Sequence, residues 1–178
     1  MSPEGVLDEA IQVASANSDE RPDGEAVSLV VIHSISLPPG EFGGDAIERL
    51  FTNTLDCAAH PYFETLRELR VSAHFLIRRA GEILQFVPCG KRAWHAGESC
   101  YAGRERCNDF SIGIELEGAE DIAYTNPQYE ALTALVGALL RHYPITDVVA
   151  HSDIAPGRKT DPGPSFEWER LRAARHRN

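Results

Sequence analysis

The chain has 178 residues, 43% of them apolar and 25% charged, with a formal net charge of −10. That length suits one domain with a sizeable core. The acidic balance excludes the broad basic footprint that nucleic acid would need, though clustered arginines can still receive a small anionic ligand. No apolar stretch approaches the roughly 20 residues that cross a bilayer, so no membrane partner is expected, and a monomer is.

Cys57, Cys89, Cys100 and Cys107 form no C-x-x-C pair and are too sparse for a disulfide scaffold, which predicts free thiols. The N-terminus, Met1 to Glu9, has neither the basic nor the apolar segment of a signal peptide. A cytoplasmic protein is the expectation.

Residues 14–26 are polar and broken by Pro and Gly, and residues 1–26 read as an exposed lead-in to a domain over 27–178. A continuous apolar run at about 28–33 predicts a buried strand ending in His33. The loop Leu37-Pro-Pro-Gly-Glu-Phe-Gly-Gly44 follows it. A two-turn helix is predicted from Asp45, whose carboxylate is placed to cap it, and a second short helix at 60–70. Val71 to Val87 reads as a hairpin turning at Arg79–Glu82, and 88–109 as a loop. Ser111–Glu117 alternates, with Ile112, Ile114 and Leu116 on one face and Ser111, Gly113, Glu115 and Glu117 on the other. A helix is predicted over about 127–142, capped by Asn126. Val148-Val-Ala150 predicts a strand leading into His151, in a segment too rich in Pro and Gly for helix. A last helix starts near Ser165. Strands interleaved with helices predict an α/β domain around one central mixed sheet.

Of the seven histidines, His33 and His151 each end a buried strand beside a Pro/Gly-rich loop. Either alone reads as well as a satisfied core histidine, and Asp161 alone as the start of a turn. Together, two imidazoles and a carboxylate suit a zinc ion with one open position, which lowers the pKa of water and polarises a carbonyl. That chemistry needs a proton carrier and an oxyanion stabiliser. Glu115 is the candidate carboxylate, its plainer reading being a solvent-facing glutamate, and Glu117 shares that face as a decoy. Lys159, two residues before Asp161, is the candidate cation. His74 reads as structural, His60, His142 and His176 as surface or helix-end residues, and His95, beside Trp94, as a pocket-lining residue.

Five strings together carry a resemblance: the strand into His33, Val71-Ser-Ala-His-Phe-Leu-Ile77, Arg92-Ala-Trp-His-Ala-Gly97, Gly113-Ile-Glu115, and His151 through Lys159-Thr-Asp161-Pro-Gly-Pro164. They resemble the N-acetylmuramoyl-L-alanine amidase family, which shares the peptidoglycan-recognition-protein fold. Ser36 to Gly44 and Gly103 to Gly118 narrow the likeness to the cytosolic branch acting on anhydromuropeptides. It runs unbroken over about 27–170; the first 26 residues show no useful match.

The resemblance implies one zinc ion per chain on His33, His151 and Asp161. It implies that Glu115 activates water and then protonates the departing amine, and that Lys159 stabilises the oxyanion. It places Trp94 near the sugar and makes Arg70 and Arg106 contacts for the carboxylates of a small anionic muropeptide. Ser34 stands where some relatives carry asparagine. The implied reaction is hydrolysis of the amide between anhydromuramic acid and L-alanine in bacterial cell-wall recycling. Two alternatives are an envelope amidase cutting intact wall and a non-catalytic recognition module; such modules typically lose a zinc ligand.

Overall fold

The computed structural model describes residues 1–175, so His176 lies outside the described residues. In chain order the elements are β1 (Ile11–Gln12), β2 (Ser18–Glu20), β3 (Leu29–Ile35), α1 (Ala46–Phe51), α2 (Pro61–Glu64), β4 (Phe75–Ile77) and β5 (Ile83–Gln85). After them come β6 (Lys91–Ala93), β7 (Cys100–Tyr101), β8 (Arg104–Glu105), a 3₁₀ turn at Cys107–Asp109 and β9 (Ser111–Glu117). The last are α3 (Asn126–His142), β10 (Asp147–Ala150), α4 (His151–Ile154) and α5 (Trp168–Arg175). Six strands form one mixed sheet in the order β1-β5-β4-β9-β3-β10, parallel except where β4 meets β5 in the predicted hairpin.

β9 lies at the centre with parallel partners on both sides, which is why every residue of Ser111–Glu117 is buried. One face of the sheet, through Val30, Ile32, Ile112 and Ile114, packs on Leu132, Leu135, Val136 and Leu139 of α3. At roughly 1.5–3 kcal/mol per buried aliphatic side chain, this layer supplies much of the drive to fold. The other face starts apolar, with Leu29 and Val31 against Phe110 and Ile154. Two-residue periodicity then turns His33 and Glu115 to that same side, where among the described residues no long helix covers them.

Several local expectations change. β3 continues two residues past His33, because Ser34 and Ile35 still pair with Leu116 and Glu117. His151 opens the single turn α4 directly after β10, although the segment had read as too rich in Pro and Gly for helix; the prolines and glycines all come after that turn. Thr125, not Asn126, caps α3, in a reciprocal box with Gln128. Asp45 makes no side-chain cap and pairs with Arg49 instead. Residues 88–109, read as loop, contain β6, β7 and β8.

The N-terminal residues are built into the fold rather than leading into it. β1 adds to the sheet edge and β2 pairs with β6. Asn17 is buried and donates to the carbonyls of Phe51 and Val71. Arg21 turns inward and donates to the carbonyls of Cys89, Asn108, Asp109 and Ser111, and burial pulls its pKa down to about 10. A polar sequence hides this role because the partners are backbone oxygens, which leave no sequence trace. No helix among the described residues is long and apolar enough to cross a membrane. The four cysteines are free thiols, as expected.

Glu117 is not solvent-facing: it is 2% exposed. Its carboxylate accepts from the peptide N–H groups of Gly43 and Arg79 and from Arg78, which also pairs with Glu48. This cluster pins the 37–44 loop and α1 to the end of β9. Glu117→Ala leaves Arg78 with Glu48 as its remaining carboxylate and takes the acceptor from the Gly43 and Arg79 peptide N–H groups, at a cost of about 1–3 kcal/mol for each donor left unmet. Denaturant melts should show that loss; a variant as stable as the parent would mean Arg78 is held by Glu48 alone.

Candidate active site

Above the C-terminal ends of β3 and β9 opens a cleft of about 780 Å³. His33 comes from β3, Glu115 sits opposite it in the register on β9, His151 follows β10, and Asp161 reaches in from the loop after α4. The sheet brings together three residues separated by 118 and 10 positions in sequence.

His33 Nδ1 lies 2.9 Å from His151 Nδ1 and 3.3 Å from Asp161 Oδ2, and the third edge of the triangle, His151 Nδ1 to Asp161 Oδ2, is 3.1 Å. A tetrahedral ion bonded at about 2.0–2.1 Å needs donors about 3.3 Å apart, close to these edges. His151 Nε2 is 3.2 Å from the carbonyl of Ala96. A carbonyl only accepts, so Nε2 carries the proton and Nδ1 presents a lone pair to the triangle. Three acceptor atoms so close together suit a shared cation. The donor set, two neutral imidazoles and one carboxylate, leaves a divalent ion with net positive charge.

The surroundings are dry. Burial pulls His33 down to about 4 and His74 to about 3, and it drives His95 well below the ordinary histidine range. Burial would raise Asp161, but wherever His151 and His33 carry a proton on Nδ1 their hydrogen bonds outweigh it and hold the carboxyl well below the usual range; with both Nδ1 atoms bare, a bound cation would take over that role. Glu115 goes the other way: burial raises it, the Asp161 charge adds to the rise, and Lys159 opposes it. A bound cation would draw Glu115 back toward the ionised form. Its Oε2 is buried without a hydrogen-bond partner among the described residues.

The remaining expected residues divide. Ser34, Arg70, Trp94, His95 and Lys159 all line the cleft. His95 does so with both ring nitrogens occupied, by His33 and by Ser111. Arg106 is absent from the cleft lining and pairs with Asp109 at 3.2 Å, so the reading of it as a carboxylate contact finds no support in its placement. The 3₁₀ turn that starts after Arg106 carries Asp109 within reach, and the Arg106 side chain is otherwise largely exposed. Arg158 was missed: it lines the cleft and donates to the carbonyls of Ala96 and Glu98. Its place beside Lys159 was the available signal. Asn108 was also missed; its side chain accepts from the peptide N–H groups of His95 and Ala96.

A fold of this kind, with a histidine–histidine–carboxylate triangle able to hold a metal ion, points to a hydrolase of the peptidoglycan amidase type. The chain belongs to the N-acetylmuramoyl-L-alanine amidase family, whose model matches residues 23–164, and is an amidase. It is 62% identical over 172 residues to the 1,6-anhydro-N-acetylmuramyl-L-alanine amidase AmpD of Citrobacter freundii, covering 96% of this chain and 92% of that protein. That span necessarily enters the first 26 residues, which the sequence alone had left unmatched. A crystal structure of a selenomethionine AmpD derivative superposes with a TM-score of 0.95 at 61% identity, covering 98% of each chain. A structure of the Escherichia coli amidase AmiD, in complex with the substrate anhydro-N-acetylmuramic acid-L-Ala-D-γ-Glu-L-Lys, matches with a TM-score of 0.63 at 30% identity. That match covers 87% of this chain and 60% of the other.

The buried histidines fix the pH dependence of stability. In metal-free protein His33, His74 and His95 all titrate below the ordinary value of 6.5, so the unfolded chain binds their protons first. Their contribution is complete above that value and is lost as pH falls. Glu115, raised above 4.5 in the folded state, acts in the opposite sense and offsets one of the three. Stability should therefore drop by about 2–3 kcal/mol per pH unit below about pH 6. Urea melts of chelator-treated protein across that range check it; stability that is flat or rises toward pH 5 contradicts neutral burial of this cluster.

Proposed function

We propose that this chain hydrolyses the amide between the lactyl group of 1,6-anhydro-N-acetylmuramic acid and L-alanine, using one zinc ion held by His33, His151 and Asp161. The observation that carries the reading is Glu115 Oε2, buried and unpartnered, one strand away from His33 in register. A zinc ion in this donor set supplies a Lewis acid that acidifies water and polarises the scissile carbonyl.

The chain's own groups do the rest. Glu115 takes a proton from the attacking water on a carboxylate oxygen and returns it to the departing L-alanine nitrogen. A dry environment keeps its pKa high enough for both transfers. The Lys159 ammonium sits on the cleft wall, where it offsets negative charge growing on the carbonyl oxygen. Trp94 offers an apolar plane for the anhydro-sugar. Arg70, on the cleft lining, is placed to receive a stem carboxylate in two parallel hydrogen bonds. The sugar and peptide named here rest on the likeness to AmpD and on the ligand bound by AmiD. Four free thiols, two of them buried, fit a reducing compartment and hence recycling in the cytoplasm.

Glu115→Ala should retain one metal ion per chain and lose about 10²–10⁴-fold in turnover of an anhydromuropeptide. Lys159→Ala should keep the metal and lose roughly 10²–10³-fold in kcat. A Lys159 variant that changes KM alone would make that lysine a binding group. A chelator should abolish turnover, with zinc restoring it. Undiminished activity in the Glu115 variant would remove that residue from proton transfer.

A further inference from the structure

His33 Nε2 points away from the metal triangle and lies 2.9 Å from His95 Nδ1. His95 Nε2 lies 3.2 Å from Ser111 Oγ, and Ser111 Oγ donates at 2.5 Å to the carbonyl of Cys107. The far end of this chain fixes the direction of every bond. A carbonyl has no proton to give, so the Ser111 hydroxyl donates to it and accepts from His95 Nε2–H. His95 Nδ1 is then an acceptor, which requires the proton of His33 on Nε2. His33 Nδ1 is left with a bare lone pair facing His151 and Asp161.

The next residue does the same for the second histidine. The carbonyl of Ala96 accepts from His151 Nε2–H at 3.2 Å. The dipeptide His95–Ala96 therefore sets the tautomer of both imidazoles. Its two peptide N–H groups, at 3.1 and 2.8 Å, donate to the single Oδ1 of Asn108, which clamps the dipeptide to the turn before β9.

β9 is shaped to receive this ring. Glycine in the interior of a central strand weakens it and marks close approach of another group. At Gly113 that group is His95: a Cβ there would lie 2.4 Å from His95 Cγ and 2.6 Å from Nδ1. Ser111, two residues back on the same face, holds the far nitrogen, and Glu115, two residues on, enters the cleft. The pattern Ser-x-Gly-x-Glu on one face of β9 reads as a hydroxyl anchor, a seat for the ring and a proton carrier.

We propose that His95 is a positioning residue, seated on Gly113 and anchored by Ser111, that holds His33 in the tautomer able to ligate through Nδ1, and that the adjoining Ala96 carbonyl does so for His151. The inference rests on the metal-site reading above. It concerns metal affinity and ring tautomer, not contact with substrate.

The test compares His95→Leu, which keeps bulk but has no acceptor, with His95→Asn, whose Oδ1 stands where Nδ1 stood. Zinc affinity is measured by competition with a chromophoric chelator. The His33 tautomer is read from imidazole nitrogen shifts in the metal-free protein. His95→Leu should bind zinc about 10–100-fold more weakly, the usual effect of losing the partner of a metal-bound histidine. It should also lose the pure Nε2–H form of His33, while His95→Asn recovers most of both. Ser111→Ala, a smaller change suited to the case where His95→Leu does not fold, should weaken zinc binding in the same direction. Gly113→Ala should reproduce the His95→Leu affinity by displacing the ring.

If the parent protein binds one zinc through His33 while the folded His95 and Ser111 variants bind it equally well with an unchanged tautomer, the positioning role is overturned and the metal site stands. If the parent binds no zinc, or His33→Ala binds it as tightly as the parent, the metal-site reading itself fails.

Discussion

β3 and β9 run parallel at the middle of the sheet with His33 opposite Glu115, and the functional geometry depends on that pairing. Strand periodicity turns both residues to the face that α3 does not cover, while Val30, Ile32, Ile112 and Ile114 anchor the other face in the core. A slip of one residue would send His33 and Glu115 into the α3 interface and bring isoleucines into the cleft. The apolar packing that stabilises the sheet therefore also places the Glu115 carboxyl beside the His33–His151–Asp161 triangle. Glu117 and Arg78 lock the end of the same strand to the 37–44 loop, so the far rim of the cleft follows the same register.

The electrostatics follow from burial. Three neutral histidines and a raised glutamate mark a pocket in which charge is costly, and in such a place a cation bound to one carboxylate acts strongly on its neighbours. The net charge of −10 belongs to the whole surface. At the cleft, Arg70, Arg158 and Lys159 face Glu115, Glu120 and Asp161, a balanced set that does not repel an anionic peptide. Long-range repulsion fades within about 8–10 Å in physiological salt, so recognition is left to these local groups.

Much of this was legible in the sequence. Apolar runs and alternation located the central strands and α3, because burial and period two or 3.6 leave a direct imprint on residue order. The clustering of His33, His151 and Asp161 was legible for a similar reason: an imidazole beside a buried strand is a costly choice that stands out. What escaped is backbone-mediated. Arg21 is held by four carbonyls, His151 by the carbonyl of Ala96, and the His95–Ala96 dipeptide by Asn108, and a peptide oxygen has the same signature at every position. Glu117 was misread because alternation assigns a face and says nothing of what covers it; Arg78 and the Gly43 peptide cover it here. Arg106 was singled out through the family resemblance; its guanidinium lies against Asp109, three residues on, outside the cleft lining.

The proposed reaction depends on a metal ion that would be held by His33, His151 and Asp161. Anomalous diffraction collected on either side of the zinc edge, from crystals grown with stoichiometric zinc, tests this most directly. The account predicts a single strong peak within bonding distance of His33 Nδ1, His151 Nδ1 and Asp161 Oδ2, with Glu115 near the ion but not bound to it. A peak bonded through either Nε2, or a zinc position away from these three side chains, would contradict it.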